Sequence, residues 1–392
     1  MKSRIFLFSI ILCIASALQA QETPKKQTGD KFELAPTGRF YVDLAKYFKD
    51  KEPLSNGVAF GDIRLGMKAT YNQWKGEIVF GFANSKLSFK DIFIQYNMKD
   101  KKSHFKLGHF VEPFGIEYID GSVGNKFVTS SSASQAFGGK RHLGVQYTSY
   151  SDKFWYSGGV FADNNVAKGA EEGSQGFAAA GRFVFNPLRE EGKIFHIGLA
   201  GELRKADAAG IGTDEDGNSY QKIRSVGYSS GTGTVVEKRK FINAKIGDAK
   251  NQQRFGAEFI GAIGRVYAQG EYFQAHVKRE HDLTSYNARG FYSQMGVLAI
   301  GKPYRYDKGL SRMLRAQPGE LELLVRYGWT NLNDADSGIF GGKQSDITCA
   351  VNYCYSKFLH VRLNYTNVKL DKHSIIGEQR FSAISARLML LF

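Results

Sequence analysis

The chain closes on Phe381–Phe392, FSAISARLMLLF, and the spacing within that ending constrains the fold more than any other stretch. Counting back from Phe392, Leu390, Leu388, Ala386 and Ile384 occupy every second position. In an extended backbone those side chains share one face, and Arg387 and Ser385 lie on the other. A strand that is apolar outside, partly polar inside and aromatic at its end fits the last strand of an outer-membrane β-barrel. There Phe392 would be an assembly signal for the barrel-assembly machinery and would then rest at the membrane interface. The competing reading is an ordinary sheet strand, so the rest of the chain has to decide.

The first residues, MKSRIFLFSIILCIASALQAQ, have the parts of a secretory leader. Lys2 and Arg4 give a positive start, Ile5 to Ala15 an apolar stretch, and small residues lead to cleavage after Ala20. A membrane-spanning helix fails on length, since crossing a bilayer takes about 20 apolar residues. Leu12 before Cys13 speaks against a lipoprotein signal. Export through a cleaved signal peptide (1–20) is therefore expected, and since nothing after Ala20 is apolar enough for a transmembrane helix, any membrane insertion must use strands. Removing the leader lowers the formal charge from +15 to +13, still basic. Export removes nucleic acid from the candidate partners and leaves anionic lipopolysaccharide and anionic solutes. The mature cysteines, Cys349 and Cys354, lie five residues apart on opposite faces of one strand, too far to bridge, so free thiols are expected. No zinc or redox motif is present, and neither a metal nor a cofactor is expected.

Residues 21–36 are polar and read as a flexible periplasmic leader, with the barrel filling 37–392. From Arg39 onward, alternating stretches of about ten residues recur, the length of a tilted strand crossing a bilayer. In Glu320–Asn331, Leu321, Leu323, Val325, Tyr327 and Trp329 oppose Glu320, Glu322, Arg326 and Thr330. In Phe358–Thr366, Leu359, Val361, Leu363 and Tyr365 oppose His360, Arg362, Asn364 and Thr366. Each apolar face ends in aromatics, as a membrane girdle requires. Tyr71–Trp74, Tyr150–Lys153, Ala262–Arg265 and Ser356–Phe358 read as tight periplasmic turns. The alternation yields one strand too many for an even barrel. Val235–Ile246 is therefore assigned to a long outer excursion after Phe195–Leu203, leaving an all-β transmembrane antiparallel barrel of 16 strands.

Specific segments resemble the phosphate-selective porin family of O and P types. They are DIRLGMKATYNQWKGEIVF, KLGHFVEPFGIE (Lys106–Glu117), Arg141 and Gly144 in KRHLGVQY, RFGAEFIGAIGRVYAQGEYFQA (Arg254–Ala275), and GELELLVRY (Gly319–Tyr327). The resemblance implies a trimeric 16-stranded porin whose third loop folds into the lumen and whose inward arginines and constriction lysines guide phosphate. The chain departs from the family pattern at Gly61 and Asp62, where a basic pair often stands, and at Lys302, which replaces an acid.

A porin needs a wet lumen narrowed at one place. Parity places Arg64, Lys68, Lys106, Arg254, Arg265, Arg326, Arg362 and Arg387 inward. It also places Asp62, Glu77, Asp91, Glu202, Glu258, Glu271, Glu320 and Glu322 there, so any selectivity must come from placement. The constriction is assigned to Glu112–Lys140. Lys126, Lys140 and Arg141 are the cations a passing anion would meet, with Glu112, Glu117 and Asp120 as opposing acids. A solvated rim, or partners for those acids, is the alternative role. The function expected is passive diffusion of small anionic or neutral solutes, without enzymatic chemistry. A barrel lipase or protease would need a nucleophile beside a base, and none of His142, His196 or His360 sits in such a motif. A secreted two-sheet glycan-binding module would not need the girdle.

Overall fold

The computed structural model describes residues 32–83, 87–162, 174–213, 216–223, 225–231 and 234–392. The expected signal peptide and residues 21–31 of the leader lie outside that set. Among the described residues no helix is long and apolar enough to cross a membrane. Strands do so instead. They are β1 (Phe32–Phe48), β2 (Gly57–Tyr71), β3 (Trp74–Gly81), β4 (Ser88–Asn97), β5 (Ser103–Val111), β6 (Arg141–Tyr150), β7 (Phe154–Ala162), β8 (Phe177–Glu190) and β9 (Lys193–Lys205). After two excursion ribbons, β10 (Ala208–Thr213) with β11 (Ser219–Ile223) and β12 (Val226–Gly231) with β13 (Lys240–Ile246), the wall resumes. It continues through β14 (Ala249–Ile263), β15 (Val266–Arg279) and β16 (Tyr286–Ile300). A short inner ribbon, β17 (Tyr306–Asp307) with β18 (Arg312–Met313), precedes β19 (Leu321–Asp334), β20 (Ile339–Cys354), β21 (Leu359–Leu370) and β22 (Arg380–Leu391).

Sixteen of these strands form one closed antiparallel ring, sealed by β1 against β22. Closure matters because every ladder amide then has a partner without water, which lipid cannot supply. Phe392 completes the seam: Gly38 N donates to its carbonyl at 2.8 Å, and its own N–H donates to Gly38 O at 3.1 Å. The alternation read from the sequence is the physical partition. Val361, Leu363 and Tyr365 are exposed on the outside of β21, while His360, Arg362 and Asn364 are buried within. The segment Val235–Ile246 does lie outside the wall, its β13 pairing with β12.

One boundary differs. The leader was expected to run to Pro36, but β1 begins at Phe32 and pairs Phe32–Pro36 with Tyr71–Met67. Phe32 and Leu34 continue the outward apolar alternation below Phe40, so strand pairing is favoured over a free polar tail.

Six connections at the end holding Phe392 are only two to five residues long: 72–73, 98–102, 151–153, 191–192, 264–265 and 355–358. Short turns mark the periplasmic end. The seventh connection there, residues 301–320, is long and carries β17 and β18. It folds into the barrel, burying Tyr304, Tyr306 and Met313 against Ile116, Tyr267 and Leu298.

Candidate pore constriction

Residues 112–140 leave the wall between β5 and β6 and cross the lumen as two short helices, α1 (Ile116–Gly124) and α2 (Ser132–Phe137). Gly115 enters α1 at φ 83°, a left-handed conformation suited to glycine. At Gly138 a Cβ would stand 2.2 Å from the Tyr118 ring, so the turn out of α2 closes only without a side chain.

The wall holds this segment by its backbone. Arg254 donates to Phe137 O at 2.6 Å and Gly138 O at 3.0 Å. Arg326 donates to Thr129 O at 3.0 Å and pairs with Glu117 at 3.1 Å. Arg362 donates to Ser122 O at 3.1 Å, Val123 O at 2.8 Å and Phe127 O at 3.3 Å. Asn352 donates to Lys126 O at 2.6 Å, and the Ile116 amide donates to Glu271 at 2.7 Å. A guanidinium has five fixed donors and no acceptor, so one arginine can hold several loop carbonyls.

A second in-folded segment meets the first from the periplasmic side. Trp155 Nε1 donates to Gly309 O at 2.9 Å and Arg182 to Ser311 O at 2.8 Å. The Tyr306 hydroxyl lies 3.0 Å from Asn186 and 2.8 Å from His196. Arg312 then reaches Ile119 O at 3.2 Å and Asp120 at 3.3 Å, joining residues 301–320 to α1. From the outer side, Gly231 N donates to Gln135 at 3.0 Å and Tyr228 packs on Phe137 at 5.3 Å, so β12 rests on α2.

What stays open is a space of about 450 Å³ along the β1–β7 side. Arg39, Arg64, Lys68, Lys75, Lys106, Arg141, Arg312 and Arg315 line it, against Glu77, Asp91 and Asp120. Eight cations facing three carboxylates make this surface strongly positive. Asp62 joins Arg39 at 2.8 Å and Arg64 at 2.9 Å, so the acid at the departure point takes up one of two charges. Arg141 is held bidentate by Asp91 at 3.1 and 3.0 Å. Lys106 lies 4.7 Å from the Phe93 ring centre and 5.2 Å from Phe110.

Sequence reasoning and structure meet unevenly at this site. Arg64, Lys68 and Arg141 line the open space, as does Asp120. Lys140 is exposed, and its carbonyl accepts from Glu112 N at 3.0 Å. Lys126 instead pairs with Glu322 at 2.7 Å between the rings of Tyr267 and Tyr304. Arg326 and Arg362 are buried as holders of the loop. Glu112 and Glu117 are buried too, rather than presented to a solute. Glu112 accepts from Arg204, from Arg254 at 3.3 Å and from His142 at 2.8 Å, while Arg254 also grips Glu202. Glu117 accepts from Ser131 N and Oγ, each at 2.9 Å. Arg265, expected inward, is exposed in the 264–265 turn. Arg39, Lys75, Arg312 and Arg315 were not foreseen. A 20-residue periplasmic connection containing Tyr304, Tyr306 and Met313 was the available signal for the last two.

The model for the family "Phosphate-selective porin O and P" matches residues 37–392. The chain belongs to that family. Porin O of Pseudomonas aeruginosa is 23% identical over 382 residues, covering 88% of this chain and 85% of its own. Among solved structures, the anion-selective porin from Comamonas acidovorans superposes with a TM-score of 0.58 at 12% identity, covering 92% of this chain and all of its own. The trimer form of OmpT from Vibrio cholerae gives 0.56 at 14% identity, over 93% of this chain and 100% of that one. This porin is therefore an outer-membrane channel barrel by family and fold.

Proposed function

We propose that this porin passes small hydrophilic anions by passive diffusion, along the β1–β7 side of its lumen. The observation that carries the reading is the excess of cations over carboxylates around the space of about 450 Å³ that the in-folded segments border. A charged ring at a constriction selects by sign, and arginine forks fit phosphate and carboxylate oxygens in particular. Arg64, Lys68 and Arg141 are the foreseen residues assigned to solute contact, with Lys140 at the exposed approach. Lys126, Arg326 and Arg362 are assigned to holding the segment that narrows the path, with Glu117 paired to Arg326 and Glu112 held by Arg204 and Arg254. The Comamonas acidovorans porin carries the description anion-selective, which favours the same sign here. Subunits are inferred to associate as homotrimers, as the OmpT structure does. Export by a cleaved leader, insertion by the barrel-assembly machinery and contact with lipopolysaccharide complete the reading. The protein does no bond chemistry in it.

The test is the reversal potential of single channels in a planar bilayer under a tenfold KCl gradient. The expected potential lies toward the chloride equilibrium value. A potential toward that of potassium would remove the anion reading and leave the channel itself in place. Adding phosphate or a small neutral sugar to the same recording ranks the solutes by their reduction of chloride current.

A further inference from the structure

We propose that the inner wall of β4 to β7, on the open side of the lumen, carries a subsite for aromatic carboxylates. The proposal deepens the anion-diffusion reading and rests on it. Lumen-facing positions of a water-filled barrel are ordinarily polar. One level of this wall departs from that rule. Phe93 is opposite Gly108, Gly108 opposite Gly144, and Gly144 opposite Phe161, so a ring, two glycines and a ring run across four strands. The rings take the room that the missing side chains leave. A Cβ on Gly144 would stand 2.4 Å from Phe161 Cδ1, and one on Gly108 would stand 2.9 Å from Phe93 Cβ. Phe110 meets both rings edge-on, its centre 6.2 Å from that of Phe93 and 5.8 Å from that of Phe161.

These residues make an aromatic shelf. With Ala178 and Ala180 they form a hydrophobic cluster built wholly from the wall, whereas the clusters around the constriction include in-folded residues such as Phe137 and Tyr304. Phe93 and Phe110 border the open space. Both rings are buried, with the Lys106 ammonium over them at 4.7 and 5.2 Å from their centres. The nearby acids are already engaged: Glu77 with Lys68 at 4.0 Å and Lys75 at 3.9 Å, and Asp91 with Arg141 at 3.0 Å. Among the described residues no carboxylate pairs with Lys106.

An ammonium resting on rings gives up a modest attraction when it turns to a carboxylate, which binds it more strongly. A flat ring entering the space takes the place of that ammonium against Phe93 and Phe110, edge-on or offset-stacked, while its carboxylate pairs with Lys106. One unpaired ammonium suits one negative charge. Tyr118 and the exposed Leu310, from the two in-folded segments, border the same space and offer further apolar contact. Inorganic phosphate would use the cation and leave the rings idle. A short aliphatic acid has no flat face to lay on them.

The test records single channels of the intact porin in a planar bilayer and titrates benzoate, acetate, inorganic phosphate and benzyl alcohol against the chloride current. Benzoate should halve the current at a concentration about tenfold lower than acetate or phosphate requires, the margin of an aromatic contact. Benzyl alcohol, a ring without the charge, should leave the current unchanged. Phe93→Ala channels should respond to benzoate no more strongly than to acetate, and Lys106→Gln should weaken the benzoate effect several-fold. Equal block by benzoate and acetate in the wild type, with a reversal potential on the chloride side, would overturn the subsite and leave the anion reading standing. Block by benzyl alcohol as strong as that by benzoate, or a benzoate preference that survives Phe93→Ala, would overturn it as well. A reversal potential on the potassium side would overturn both readings together.

Discussion

The two sides of the lumen use the same residue type to opposite ends. Along β14 to β21, the inward arginines Arg254, Arg326 and Arg362 are buried and their donors meet loop carbonyls or carboxylates. Along β1 to β7, Arg39, Arg64 and Arg141 border an open space, and their carboxylate partners are fewer than the cations gathered there. An inward arginine is thus not in itself a solute contact. Whether a loop folds onto it decides. Buried charge of this kind contributes little net stability when complete but much fragility when one partner is lost.

That contrast can be broken deliberately. The largest effect is expected from Glu202→Ala, which leaves Arg204 and Arg254 short of an acid in a dry site; losing a buried partner costs about 3–5 kcal/mol. Urea unfolding followed by heat-modifiable gel mobility should show that loss. Arg362→Ala comes next. Releasing Ser122, Val123 and Phe127 carbonyls from the wall should loosen α1 and raise single-channel conductance several-fold, with little movement of the reversal potential. On the open side the pattern should invert. Lys106→Glu should move the reversal potential toward potassium by tens of millivolts while unfolding changes little. A stability loss without a change in selectivity would place Lys106 with the holders. The smallest effect belongs to the outer rim, where Arg239 holds the Glu237 carboxyl down to about 2 by hydrogen bonding. A carboxylate depressed from its ordinary value near 4.5 contributes its full stability above that value and loses it as pH falls toward about 2. Amide exchange at Ser55, which donates to Glu237 at 2.9 Å, should stay slow at pH 5 and quicken below pH 3. Glu237→Gln should quicken it at neutral pH.

The wall was legible in the sequence because lipid imposes period two on every strand that touches it. A different rule, the even strand count, separated Val235–Ile246 from the barrel, since an odd number of strands cannot close a ring with both ends on one side. The lumen was less legible. A loop that folds inward must satisfy its carbonyls with donors from distant strands, and Arg362 reaching Val123 leaves no local mark in either segment. Parity placed Arg326 and Arg362 inward but could not say that a loop would cover them. Residues 301–320 were missed for a related reason: a connection between adjacent strands looks the same whether it hangs below the barrel or fills it. Tyr304 and Tyr306, buried against Tyr267 and Ile260, carry that difference in their surroundings and not in their spacing.

Cysteine accessibility during conduction tests the division of the lumen most directly. In a Cys349→Ser, Cys354→Ser background, Lys68→Cys and Gln146→Cys on the open side are treated with a small anionic thiol reagent while single channels are recorded. Both should react within seconds and step the current down, whereas Thr330→Cys, buried against Ser132, should not respond. Block at Thr330→Cys with silence at Lys68→Cys and Gln146→Cys would mean that solutes travel along the opposite wall.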